Sequence, residues 1–243
     1  VFFGISTGLN TTVRDSYIDM NTMNVSGVSG AIDRLYDSSF INVFFDMGQL
    51  SDSTQFIISG CTRVLFTSCS IVSKQSGVFW YIVNSDTCNF SNCYFKIQAM
   101  TLTTNLDSCI IESNGYAPSS YFITMQFYGV RLNNSRIIGL DKSWDLLYMN
   151  SANQQFINNY IYGGKKVEIG YDSAISITGN QFINNNWTSE YSAAAIDLEL
   201  NANGDNSIVM GNSIRCNVGG GSTPTITNSG SDNIIEHNQL YKL

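Results

Sequence analysis

A six-residue phrase recurs along this chain: apolar, any residue, small polar, then Ser, Asn or Cys, any residue, and a second apolar residue. Its copies start at Val13, Leu35, Phe66, Phe90, Leu106, Leu132, Phe156, Ile177, Val209 and Ile235. The steps between them are 22, 31, 24, 16, 26, 24, 21, 32 and 26 residues, averaging about 24.7. A period of this size without helical patterning indicates a solenoid. The two apolar residues of each phrase are five apart, the wrong parity for one unbroken strand. A tight corner between two short strands restores the geometry and turns both apolar groups inward. The expected fold is therefore all-β: a single-stranded right-handed parallel β-helix of about ten coils, spanning 1–243 as one domain.

The fourth residue of the phrase sits at the corner and should stack over its equivalents at about 4.8 Å. The expected column is Ser16, Ser38, Cys69, Cys93, Cys109, Ser135, Asn159, Asn180, Asn212 and Asn238. Asn amides stacked in this way hydrogen-bond one another. Three of the six cysteines fall in the column, where Ser or Asn replaces them elsewhere, so they read as small buried thiols and not as disulfide partners. The lone histidine, His237, reads as a corner residue. The 16-residue step is short for a coil: either that coil loses a turn or one match is spurious. The steps of 31 and 32 residues imply insertions near 41–56 and 183–195.

Apolar strands precede the phrases at Val78–Val83, Tyr121–Phe127, Leu146–Met149, Val167–Ile169 and Ile196–Leu200. In the last two, acids alternate on the outward face. In the first three both faces are apolar, which implies burial on both sides. A lone β-helix has one interior, so the second face is expected to meet other chains in a side-by-side homotrimer.

Composition narrows the function. Charged residues make up 13% of the chain and the formal net charge is −7. That balance argues against nucleic acid and against an anionic membrane surface as partners. No run approaches the ~20 apolar residues of a membrane span. The chain starts at Val1 without a leader-like segment and reads as a piece of a longer protein. No metal-ligand spacing of His and Cys occurs, and nothing calls for a cofactor.

The segments Ile177-Thr-Gly-Asn180-Gln-Phe182 and Ala195-Ile-Asp-Leu-Glu-Leu200, followed by Ile208-Val-Met-Gly-Asn212-Ser-Ile214, resemble repeats of right-handed parallel β-helix proteins of the pectin-lyase-like type. The low charge and abundant Asn and Tyr are most similar to the phage tailspike and appendage branch. That resemblance implies a homotrimer in a virion or extracellular setting, joined to other tail proteins. It would bind a host cell-surface polysaccharide and, in some members, cleave it. Alternatives of the same fold are a free glycoside hydrolase or polysaccharide lyase, or a purely structural shaft. The paired-Asp and Gly-His-Gly segments of polygalacturonase-like enzymes are absent from this sequence.

The best acid pair is Asp197 and Glu199, two apart on one strand, with carboxylates about 6–7 Å apart from strand geometry. That reaches the lower end of the roughly 6.5–9.5 Å that inverting glycosidases use. One acid would protonate the glycosidic oxygen while the other activates water. Glu168, one coil earlier, is expected beside them. Trp187 and Tyr191, placed in the inferred insertion, are the candidate sugar-stacking rings. Outward acids that are merely solvated, and a loop Trp that merely packs, are the competing readings.

Overall fold

The computed structural model describes residues 3–19, 28–48, 55–73, 79–83, 88–118, 120–141, 143–170, 177–189, 196–216 and 223–242. Every element among them is a β-strand, every strand pairing is parallel, and the chain is a parallel β-solenoid. It divides into two compact units, 1–117 and 118–243. In each, consecutive strands go in turn to a first, second and third sheet.

In the first unit the first sheet runs β1 (Phe3–Leu9), β4 (Val28–Tyr36), β7 (Gln55–Ser59), β10 (Phe79–Val83) and β13 (Ala99–Leu102). The second runs β2 (Thr12–Arg14), β5 (Ser39–Ile41), β8 (Leu65–Thr67), β11 (Asn89–Ser91) and β14 (Asn105–Asp107). The third runs β3 (Tyr17–Asp19), β6 (Phe44–Gly48), β9 (Ser70–Ser73), β12 (Tyr94–Ile97) and β15 (Ile110–Ser113).

The second unit repeats the scheme. Its first sheet holds β16 (Tyr121–Met125), β19 (Asp145–Met149), β22 (Lys166–Ile169), β25 (Asp197–Leu200) and β28 (Thr225–Asn228). Its second holds β17 (Arg131–Asn133), β20 (Gln155–Ile157), β23 (Gln181–Ile183), β26 (Ile208–Met210) and β29 (Ile234–Glu236). Its third holds β18 (Arg136–Ile138), β21 (Tyr160–Tyr162), β24 (Asn186–Ser189), β27 (Ser213–Cys216) and β30 (Gln239–Lys242).

The core is built of in-register columns. Phe40, Phe66 and Phe90 stack from strand to strand, with centroids 4.8 and 4.3 Å apart, and Phe156 stacks on Phe182 at 5.2 Å. Such pairs add about 0.5–1.5 kcal/mol each beyond the area they bury. Opposite them, Phe45, Ile71, Phe95 and Ile111 line the third sheet of the first unit, all fully buried.

The corner between second and third sheets is where the polar residue of the phrase acts. In the second unit, the main-chain N–H of each corner residue donates to the Oδ1 of the Asn one coil on. Ser135 reaches Asn159 at 2.9 Å, Asn159 reaches Asn185 at 2.9 Å, Asn185 reaches Asn212 at 2.8 Å, and Asn212 reaches Asn238 at 3.0 Å. Each Asn then donates from Nδ2 backwards to a second-sheet carbonyl: Leu132, Phe156, Phe182 and Val209, at 2.8–2.9 Å. In the first unit the thiols of Cys69, Cys93 and Cys109 make the same backward contact, to the carbonyls of Phe40, Phe66 and Phe90 at 3.4–3.7 Å. All six cysteines are buried and form no disulfide, and for Cys69, Cys93 and Cys109 this is what their exchange with Ser and Asn suggests. The hydrogen bond that the Cys69 thiol gives to Cys93, and then burial, push it well up, so it stays neutral.

The residue just before each corner residue is left-handed. It is Asp15, Asn42, Ser68, Asn92 or Ser108 in the first unit, and Asn134, Asn158, Asn184, Gly211 or His237 in the second. Short polar side chains and glycine tolerate this conformation best, which accounts for much of the Asn, Asp and Gly content. His237 holds a corner, as expected.

Two members of the expected column belong elsewhere. Ser38 and Asn180 sit at the corner entering the second sheet, where they accept from the N–H groups of Thr11 and Gln154. The true occupants of the column are Val43 and Asn185, since Phe40 and Phe182 are the second-sheet core residues of those coils. Both corners carry small polar residues flanked by apolar ones, so the phrase matches either. With the register corrected, the uneven steps of 22 and 31 become 27 and 26, and those of 21 and 32 become 26 and 27. The long steps that implied the insertions disappear with them; residues 44–48, which carry a register shift between Asp46 and Gly48, and 186–189 are third-sheet strands, while 49–54 and 190–195 lie outside the described residues. The 16-residue step is a complete coil: Asn89, Phe90 and Ser91 pair with Asn105, Leu106 and Asp107. Its compactness comes from a single-residue link, Gln98, between β12 and β13.

Two of the three strands that read as apolar on both faces have an explanation within one chain. In β19 a bulge falls between Asp145 and Leu147, and both Leu146 and Leu147 are fully buried. Phe122 and Ile123 of β16 are likewise both buried. The extra residue breaks the two-residue period and lets adjacent side chains both leave solvent. The side chains of 79–83 lie outside those described.

Replacing Asn185 by Ala orphans the buried N–H of Asn159 and the carbonyl of Phe156, and urea unfolding should show a loss of about 2–4 kcal/mol. An unchanged midpoint would contradict the ladder's role.

Candidate functional site

Strand pairing brings three of the expected residues together. Lys166 and Glu168 of β22 lie in register with Asp197 and Glu199 of β25. Val167, Ile169, Leu198 and Leu200 between them are buried in the core, which leaves the charged residues on the outer face of the first sheet. Glu168 is therefore beside Glu199, as expected.

Lys166 bridges the two carboxylates, with Nζ 3.1 Å from Glu168 Oε2 and 2.9 Å from Glu199 Oε2. Glu168 is only 4% exposed. It also accepts from the Tyr121 hydroxyl and, at 2.6 Å, from Asn201 Nδ2. With three donors converging on it, Glu168 holds the face together instead of presenting itself to solvent. Glu199 and Asp197 are the half-exposed carboxylates; Asp197 accepts from the Thr225 hydroxyl.

Two rings the sequence reading missed complete the face. Tyr121 and Tyr148 stack with centroids 5.1 Å apart. Together with Ser120, Lys166 and Glu168 they line a groove of about 420 Å³. Their outward direction was hidden because β16 and β19 read as uniformly apolar. Counting back from Glu168 by one coil places Tyr148 in its register and would have found it.

Trp187 is elsewhere. It sits on β24 of the third sheet, in register between Ile161 and Ile214, fully buried, and its indole N–H donates to the Gly163 carbonyl at 2.9 Å. The expectation that its ring stacks on a sugar is corrected: in its strand the residue faces the core. Tyr191 lies outside the described residues. No group of three His, Cys, Asp or Glu residues suited to a metal occurs among the described residues.

The electrostatics follow from the contacts. Partial burial pulls the Lys166 ammonium down, but its hydrogen bonds to Glu199 and Glu168 outweigh this and leave it above the ordinary lysine value. Burial first, then the bond to Glu168, push the Tyr121 phenol well up, so it remains a donor.

No protein-family model and no curated protein matches the chain. Among solved structures it is similar to the trypsin-treated form of QnrB1, a plasmid-mediated fluoroquinolone resistance protein. The identity is 12%, 90% of each chain is covered, and the TM-score is 0.26. A likeness that loose carries no argument about the site.

Both raised groups favour the folded state while protonated. Their contribution is complete below the unfolded values, near pH 10 for Tyr121 and 10.5 for Lys166, and is lost as pH rises through the higher folded values. Stability should therefore fall on the alkaline side of pH 10, and Tyr121→Phe should flatten that limb in urea titrations between pH 9 and pH 11. An equally steep limb in the variant would count against this assignment.

Proposed function

We propose that this chain is a polysaccharide-binding β-solenoid of the phage tailspike or fibre type, and that the outer first-sheet face of its second unit holds the sugar. The observation that carries the reading is the stacked pair Tyr121 and Tyr148 beside Lys166, Glu168, Glu199 and Asn201. Sugar rings present C–H faces ringed by hydroxyls. They are matched by an aromatic surface next to fixed carboxylate acceptors and amide or ammonium donors. Parallel strands hold these groups more rigidly than loops would.

Cleavage is the second reading. Glu168 is enclosed by its donors, so a hydrolytic pair on this face falls to Glu199 and Asp197, the half-exposed carboxylates that share β25. The pectin-lyase-like resemblance, the virion or extracellular setting, contact with other tail proteins and the homotrimer belong to the same proposal. The trimer rests on that resemblance, since the buried side chains of β16 and β19 are accounted for within one chain.

Incubation with capsular and lipopolysaccharide fractions tests both readings. The chain should bind at least one fraction, and Tyr148→Ala should weaken that binding roughly tenfold, in line with the ~1–3 kcal/mol of a lost anchoring ring contact. Equal binding by the variant contradicts the site. Shortening of the polymer that is lost in Glu199→Gln or Asp197→Asn establishes cleavage, and intact polymer throughout leaves binding as the activity. Sedimentation equilibrium should give the trimer mass; a monomer would remove the trimer from the proposal.

A further inference from the structure

We infer that the outer face of the third sheet in the second unit is a separate binding surface, selective for polysaccharide bearing anionic substituents. It rests on the preceding reading only for the class of polymer; the face, the residues and the observation are different.

The chain carries a net charge of −7, and the first sheet of the second unit holds Asp145, Glu168, Asp197 and Glu199. The third-sheet strands of that unit read Arg-Ile-Ile, Tyr-Ile-Tyr, Asn-Trp-Thr-Ser, Ser-Ile-Arg-Cys and Gln-Leu-Tyr-Lys. They contain Arg136, Arg215 and Lys242 and no acid. Ile137, Ile161, Trp187 and Ile214 point into the core, and the residues beside them face outward.

On that face each arginine lies over a tyrosine ring. The Arg136 guanidinium is 5.7 Å from the Tyr160 centroid, and that of Arg215 is 5.5 Å from the Tyr241 centroid. Arg215 also donates from Nε to Ser213 Oγ at 3.2 Å. Neither arginine has an acidic partner among the described residues. A guanidinium stacked on a ring keeps its in-plane N–H fork available, and that fork matches a carboxylate, sulfate or phosphate. Tyr160, Tyr162 and Tyr241 are each about two-fifths exposed and add ring surface for sugar C–H groups.

Spacing selects an extended ligand. Arg136 is on the first strand of this sheet within the unit and Arg215 on the fourth, three strand intervals or about 14 Å apart along the stack. A small anion cannot reach both. The sparse cations also fit a polymer with one charge every sugar or two better than duplex nucleic acid, which carries a charge about every 1.7 Å and would be repelled by the acidic remainder of the chain.

The test is biolayer interferometry of the intact chain on immobilised polygalacturonate, dextran sulfate, neutral dextran and a single-stranded DNA oligonucleotide. Polygalacturonate or dextran sulfate should bind more tightly than neutral dextran, with affinity falling as NaCl rises. The double variant Arg136→Gln/Arg215→Gln should lose roughly tenfold or more, from charge-assisted hydrogen bonds. Gln239→Lys, which adds a cation at an exposed position of the same face, should bind more tightly. The preference for the acidic polymers over neutral dextran should persist in Tyr148→Ala even where that variant binds every polymer more weakly, so failure of one surface is distinguishable from failure of the other. The inference is overturned if neither acidic polymer outbinds dextran. It is also overturned if both third-sheet variants match the parent, or if DNA binds as well as the acidic polysaccharides.

Discussion

Successive coils are tied by one recurring contact: a corner residue whose main-chain N–H and side chain both bond to neighbouring coils. Around Asn159, Asn185 and Asn212 the contact runs in both directions, forward to the next amide oxygen and back to a carbonyl of the second sheet. Each bond is worth about 1 kcal/mol net, but an orphaned partner in this dry interior costs more. The asymmetry fixes register: a slip of one residue leaves a column of buried N–H groups without acceptors. The left-handed residue ahead of the corner and the stacked phenylalanines behind it follow from holding that residue inward.

The same requirement reads differently in the two units. Where Asn fills the column the contact is strong and directional. Where Cys69, Cys93 and Cys109 fill it the geometry persists with a weaker donor. A thiol is small and tolerates burial, and at this position it is architecture.

Much of this was legible in the sequence because the corner has a fixed grammar. The strand–corner–strand reading, the fate of the cysteines and the outward acids Glu168, Asp197 and Glu199 came from parity and spacing alone. The register at Ser38 and Asn180 did not, because two corners of each coil use the same residue types and only pairing tells them apart. A bulge in β19 defeated the parity rule, which is why Tyr148 was hidden in an apolar run. Trp187 misled for the opposite reason: an aromatic assigned to a presumed insertion is in fact a core residue of a regular strand. Once the register is right, the two longest steps vanish, and the candidate chemistry lies on strand faces: one acidic and bridged by Lys166, the other carrying Arg136 and Arg215.

The central claim is that the Asn corner column ties the coils together. Hydrogen–deuterium exchange of the native chain, read at the main-chain amides of Asn159, Asn185 and Asn212, tests it directly. The account predicts that these amides exchange only through global unfolding, as slowly as the central amides of the flanking strands. Exchange as fast as that of exposed turn residues such as Tyr128 would contradict it.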